Sequence, residues 1–241
     1  MNLVPHPVSH RFSLRDVPES ELFRSFSLIS METGGSHLIE LTDAQGQHNA
    51  LMAIETPVRL HVKGGLGHYA FSYNLGADAR IDGDVGNGVG EGLRGGSVRV
   101  RGNAGIGFGV AMRGGTLAVY GTAGDRVAAA MIGGEILARG DVGADVGVNA
   151  RGGTILIGGD SGPRLGDPQG DAIIFMRGQA ESLSPGMGEA KLRKRDELRL
   201  GLLLINASIR ADAKEFRRIV PEQVLITERE QRRGEVVPNW R

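Results

Sequence analysis

Cysteine is absent from this chain of 241 residues. That single absence removes disulfides, thiolate metal sites, iron–sulfur ligation and cysteine nucleophiles. Aromatic residues make up only 5% of the sequence, which argues against a base-stacking surface or a large aromatic pocket. Neither sign of charge is in excess, with Lys+Arg 28 against Asp+Glu 28. There is thus no electrostatic case for nucleic acid or an anionic membrane as the main partner. No run approaches the roughly 18 apolar residues of a membrane span. Met1–Phe12 holds two prolines and two histidines and lacks the apolar stretch of a secretory signal. The expectation is a cytoplasmic protein.

Glycine is abundant, at 39 residues, and it is periodic. Gly64, Gly83, Gly102, Gly121, Gly140, Gly159 and Gly178 follow one another at a constant interval of nineteen. A second column lies three places on, at Gly67, Gly86, Gly105, Gly124, Gly143 and Gly162. The pairs Gly95-Gly96, Gly114-Gly115, Gly133-Gly134 and Gly152-Gly153 form a third. Such self-similarity is the mark of a solenoid, whose coils become stable only when stacked.

The residues before each leading glycine predict a strand. Leu60, Ala79, Val98, Leu117, Ile136, Ile155 and Ile174 stand four before it; Val62, Ile81, Val100, Val119, Ala138, Ile157 and Met176 stand two before it. This alternation gives one buried face, and equal intervals in one direction predict parallel pairing. Further apolar columns follow the glycine: Val85, Ala104, Ala123 and Val142 at two places, and Val89, Phe108, Val127, Val146 and Leu165 at six. Each coil therefore points inward on several sides. The expected fold is all-β, a single-stranded right-handed parallel β-helix with about nineteen residues per coil, an N-terminal cap and a C-terminal α-helix and tail. Six intervals at ~4.8 Å give a rod on the order of 29 Å long. The leading glycines are expected to be corners, where positive φ or close coil-to-coil approach excludes a Cβ.

The domain expectation is a cap over 1–57, the β-helix over 58–183 and a helix with a charged tail over 184–241. Ser13–Glu21 and Ala44–Ala53 suggest loops and strands around a short helix. Gly188–Ile205, with Leu192, Leu198, Leu200, Leu202 and Leu203 among charged residues, predicts an amphipathic helix on the last coil. The tail Arg229–Arg241 carries the one tryptophan, Trp240.

The usual chemical motifs do not stand out. Runs such as Gly86–Gly90 and Gly105–Gly109 superficially suggest dinucleotide binding, but they recur coil after coil with no helix to face a pyrophosphate. Aspartates at Asp84, Asp141 and Asp160 share a column with Asn103, Thr122 and Gln179, which suits turns better than calcium. His61 and His68 are the best general-base candidates, yet neither has an acidic or nucleophilic companion at a recognisable spacing. No catalytic, cofactor-binding or metal-binding residue is therefore assigned. Arg94, Arg113 and Arg151 fall just before paired glycines, so stacked coils would align them as a basic ladder, either a solvated face balanced by acids such as Glu91 or a docking face for another subunit.

These G-x-x-G turns and M-x-G-G or R-G-G closures, in coils of nineteen to twenty residues over about Val58–Leu183, resemble the GXGXG family. It includes the C-terminal β-helix domain of the glutamate synthase large chain and the stand-alone third subunit of glutamate-synthase-like complexes. It also includes the β-helix subunit of formylmethanofuran dehydrogenase and of the formyltransferase/hydrolase complex. Gly67-His-Tyr-Ala, Val85–Leu93, and the rungs Gly166-Asp-Pro and Ala172–Gly178 look like the stand-alone third subunit, as in N-methylglutamate synthase. The units are more uniform than in that branch, and Phe216–Arg241 departs from it. The resemblance implies a non-catalytic scaffold holding a class II glutamine amidotransferase subunit apart from an FMN-binding synthase subunit, with FMN and an iron–sulfur cluster on partners. The alternative is the β-helix subunit of a formyl-transfer complex, formylmethanofuran dehydrogenase or formyltransferase/hydrolase. A more distant alternative is a β-helix acyltransferase using His61 or His68, although such enzymes run at eighteen residues per coil.

Overall fold

The structure, a computed structural model, describes residues 8–206 and 209–232. Strands β1 (Val8–Ser13), β2 (Leu38–Gln45), β3 (Val58–Gly65), β4 (Ala77–Ile81), β5 (Ser97–Val100), β6 (Thr116–Val119), β7 (Glu135–Ala138), β8 (Thr154–Ile157) and β9 (Ile173–Met176) pair in chain order, all parallel. From β3 onward the register advances by nineteen residues, as in Val58↔Ala77 and Thr154↔Ile173. This is the expected parallel solenoid. The sheet does not begin at residue 58, however: β2 and β1 extend it by two strands, with the pairing Leu38↔Arg59 and Val8↔Leu38.

The alternation read from the sequence places Leu60, Val62, Ala79, Ile81, Val98 and Val100 inside the coils, fully buried with Val89, Phe108, Val127 and Val146 from the opposite wall. Helix α1 (Glu19–Thr33), fifteen residues and hence longer than expected, starts after Pro18 and stops at Gly34, whose φ of 61° ends it in the left-handed form. Leu22, Phe26 and Ile29, one face of that helix, join the same core as Leu51 and Ile54. The open N-terminal end of the stack is thereby covered.

The C-terminal end is built differently from the sequence expectation. Residues Met187–Ala190 form β10, not helix; the helix α2 begins only at Lys194 and runs to Asn206. A 3₁₀ turn at Ala213–Glu215 leads into β11 (Arg217–Pro221), which pairs antiparallel with β9 and with β10, and α3 (Glu222–Arg232) follows. Arg229–Arg232 are thus the end of a helix, while Trp240 lies outside the described residues. Reversing strand direction at β11 ends the parallel ladder and leaves β10, only four residues long, as the edge. Helix α2 does not sit on the last coil alone. Leu200, Leu203 and Leu204 pack with Ala118, Leu137, Leu156 and Phe175, the outward residues of β6 through β9.

Of the two reasons expected for the leading glycines, close approach is the general one: of the seven, only Gly64 has positive φ, at 111°. The others are glycine because the preceding coil is too close: a Cβ at Gly83 would lie 2.5 Å from the Gly65 nitrogen, and one at Gly140 would lie 2.5 Å from the Gly121 oxygen. Positive φ belongs instead to the fifth, seventh and ninth places after them. Those places hold Gly88, Gly90 and Gly92, then Gly107, Gly109 and Ala111, then Arg126, Ala128 and Ala130. Alternating handedness turns successive amides towards opposite neighbours. Gly88 and Gly92 donate forward to Ile106 and Val110 (both 2.8 Å), whereas Gly90 donates back to Ala70 (3.0 Å). Arg126, Ala128 and Ala130 repeat the pattern without glycine.

Opposite signs are therefore expected for two small substitutions, compared by urea denaturation. Gly140→Ala should destabilise by about 2 kcal/mol or more, since the added methyl meets backbone that cannot yield. Ala130→Gly should stabilise by about 0.5–1 kcal/mol, because relief of the left-handed strain exceeds the lost chain entropy.

Candidate functional site

Axial side-chain ladders run along the corners. In the column after the leading glycine, the Asp84 carboxylate accepts the Asn103 amide (2.7 Å) and Asn103 Oδ1 accepts the Thr122 amide (2.9 Å). Asp141 and Asp160 accept the amides of Asp160 (2.8 Å) and Gln179 (2.6 Å). These bonds reach nineteen residues ahead and not within the turn, so the aspartates of that column are occupied in bracing the next coil. His68 belongs to a similar column: its Nδ1 accepts the Asn87 amide (2.8 Å), while its own amide donates to His48 Nδ1 (2.8 Å). The two imidazoles stack with centroids 4.5 Å apart. With Nδ1 of both rings an acceptor, the proton resides on Nε2.

His61 is placed elsewhere, on the outer face of β3, so the two histidines named from the sequence are not brought together. Its Nε2 lies 2.7 Å from Asp82 Oδ2. Lys63 Nζ (3.3 Å), Arg80 Nε (3.0 Å) and an Arg101 nitrogen (3.6 Å) surround the same carboxylate. Partial burial would raise the Asp82 carboxyl, but hydrogen bonds and charge from His61 and Arg80 hold it at about 2. The companion acid that sequence spacing missed is Asp82, twenty-one residues away and one coil further on.

Arg94, Arg113 and Arg151 do share one column, as expected, and their amides donate to Asn74, Leu93 and Met131 of the coil before. All three side chains are exposed. None takes part in an ion pair among the described residues. The structure adds two members to the column: Leu75, 46% exposed, and Ile132, 53% exposed, stand in line with the arginines.

The outer sheet face divides along its length. Glu40, His61, Arg80 and Arg99 occupy one outward column on β2–β5, and Ala118, Leu137, Leu156 and Phe175 continue it on β6–β9 beneath α2. A buried ion network fixes this layer. Arg218, 1% exposed, contacts Asp196 of α2 (3.3 Å) and Glu228 of α3 (2.9 Å), and donates to the Lys191 carbonyl (3.0 Å). Arg193 joins both acids at 2.7 and 3.4 Å. Burial works against the Asp196 charge, yet hydrogen bonds from Arg193 and the two guanidinium charges hold its carboxyl below the usual range. A cleft of about 530 Å³ opens beside this layer, lined by Glu189, Leu192, Glu197, Lys214, Phe216 and Arg217 among others. No helix among the described residues is long and apolar enough to cross a membrane.

Two stability outcomes follow from these charges. Asp82 is depressed in the folded state, at about 2 against an ordinary 3.8, so its stabilisation is full above the ordinary value and disappears as pH falls through the folded one. Asp82→Asn should cost on the order of 1–2 kcal/mol at neutral pH, with the gap to wild type closing between about pH 4 and pH 2 in urea melts. Arg218→Met, which strips a buried partner from two carboxylates, should cost about 3–5 kcal/mol. It should also raise amide exchange in α2 and α3 before the coils, as read by hydrogen–deuterium exchange.

Neither a protein-family model nor a curated protein matches the chain. Among solved structures it is similar to a chain of the formyltransferase/hydrolase complex from Methylorubrum extorquens, determined by X-ray crystallography with methylofuran bound. The identity is 17%, the TM-score is 0.53, and the likeness covers 90% of this chain and 97% of that one. At this identity the likeness is one of fold alone.

Proposed function

We propose that this chain is a structural subunit of a formyltransferase/hydrolase-type complex, a rod that holds catalytic subunits at a fixed separation and makes or breaks no bond itself. The observation that carries the reading is the near-complete mutual coverage with a chain of such a complex. The architecture suits a spacer. Axial hydrogen bonds run through the sheet, the alternating-handed turn and two side-chain ladders, so bending strains several walls at once. The described surface also presents an unpaired cationic ridge, as an interface would.

The glutamate-synthase-like branch is the second reading, supported by the rung sequences Gly67-His-Tyr-Ala, Val85–Leu93 and Ala172–Gly178. In that case the partners would be a class II glutamine amidotransferase and an FMN-binding synthase, with FMN and an iron–sulfur cluster on those chains.

Affinity purification of the tagged full chain, co-expressed with its chromosomal neighbours, separates the two. Co-elution of a metal-dependent amidohydrolase-like chain and a formyltransferase chain is the expected result. A glutaminase chain and a yellow flavoprotein in the eluate would establish the second reading instead. A free monomer among neighbours of unrelated type would overturn both.

A further inference from the structure

The line Leu75, Arg94, Arg113, Ile132, Arg151 is a ridge with three features. Its residues are exposed and one coil apart, since their amides bond in turn to Ile54, Asn74, Leu93, Met112 and Met131. Its three guanidinium groups have no ion-pair partner among the described residues. Its flanks are low in the middle: Ala111 and Ala130 lie two places before Arg113 and Ile132, and paired glycines follow each of Arg94, Arg113, Ile132 and Arg151, while the Tyr73 ring covers Gly92 at the Leu75 end. The side chains rise in the order apolar, cationic, cationic, apolar, cationic.

We propose that this ridge docks one α-helix of a partner subunit, laid along the rod and carrying the complementary order apolar, acidic, acidic, apolar, acidic on successive turns. The inference deepens the structural-subunit reading and rests on it for the existence of a partner. Spacing selects a helix. Coils repeat at ~4.8 Å and helical turns at ~5.4 Å, a mismatch of ~0.6 Å per rung that the long arginine side chains absorb over five rungs. An extended strand repeats its same-face side chains at ~6.7 Å and would lose register by ~2 Å per rung. Charge then sets direction and register: Ile132 interrupts the arginines, so sliding by one turn places an apolar side chain opposite Arg113 and a carboxylate opposite Ile132.

The probe is a stapled helical peptide of about 17 residues with Leu, Glu, Glu, Leu and Glu at intervals of three or four. Its binding to the purified full chain is read by fluorescence anisotropy at low salt. Saturable binding is expected, weakened about tenfold or more by Arg113→Glu or by Ile132→Glu and weakened by added salt. A peptide with Lys in place of its second Glu, the one facing position 113, should gain affinity for the Arg113→Glu protein. Both altered side chains are exposed, so thermal melting should be unchanged. Equal binding of a scrambled peptide of the same composition, or indifference to both substitutions, would overturn the proposal. So would self-association of the wild-type chain that these substitutions abolish, since a second copy would then occupy the ridge. In the co-purification, full retention of neighbours by the double variant removes the ridge and leaves the subunit reading standing. Peptide binding as expected, with no neighbour ever retained, does the reverse.

Discussion

Successive coils approach so closely beside the leading glycines that one added carbon at Gly140 would sit 2.5 Å from the oxygen of Gly121. That contact fixes how closely successive coils stack. A Cβ at the corner would force neighbouring coils apart and lengthen the axial hydrogen bonds on all walls together. The sheet, the alternating-handed turn and the aspartate, asparagine and histidine ladders all depend on the same axial repeat. The rod is stiff because these connections are redundant.

Keeping that repeat has a local cost. Arg126, Ala128 and Ala130 all adopt positive φ without the relief that glycine gives, at about 1–2 kcal/mol for each residue. The conformation persists because each amide is held by the coil above or below, with Ala128 bonded back to Phe108 at 3.0 Å and Ala130 forward to Val148 at 2.8 Å. Tyr69, Phe71 and Tyr73 adopt positive φ at the same places, also without glycine. In a solenoid, a coil borrows stability from its neighbours.

The two ends and the outer face decide how such a rod meets other molecules. Helix α1 closes one end with Leu22, Phe26 and Ile29, and the antiparallel β11 closes the other. Along the outer face, α2 covers the apolar half and is clamped by Arg218, Asp196, Arg193 and Glu228. The charged half around Asp82 has no such cover among the described residues, and the arginine ridge stands at a separate corner. Exposed apolar side chains include Leu198, Leu202 and Ile205 of α2, on the helix face away from the sheet, besides Leu75 and Ile132 of the ridge.

The sequence by itself determined the coil length, the parallel pairing, the inward columns and the alignment of Arg94, Arg113 and Arg151, because each is a consequence of strict spacing. The same spacing places Ile132 between Arg113 and Arg151. What only the tertiary structure decided depends on contacts between coils and between distant segments. Close approach, not positive φ, explains six of the seven leading glycines. Positive φ falls at places such as Arg126 and Ala130, where residue type gives no warning. Gly188–Ile205 carries helical leucines throughout, yet its first residues pair with β11 as a strand because that edge is available only once Arg217–Pro221 has folded back. The match of His61 to Asp82 and of Arg218 to Asp196 and Glu228 likewise arises from stacking and fold-back, which periodicity within a single chain cannot encode.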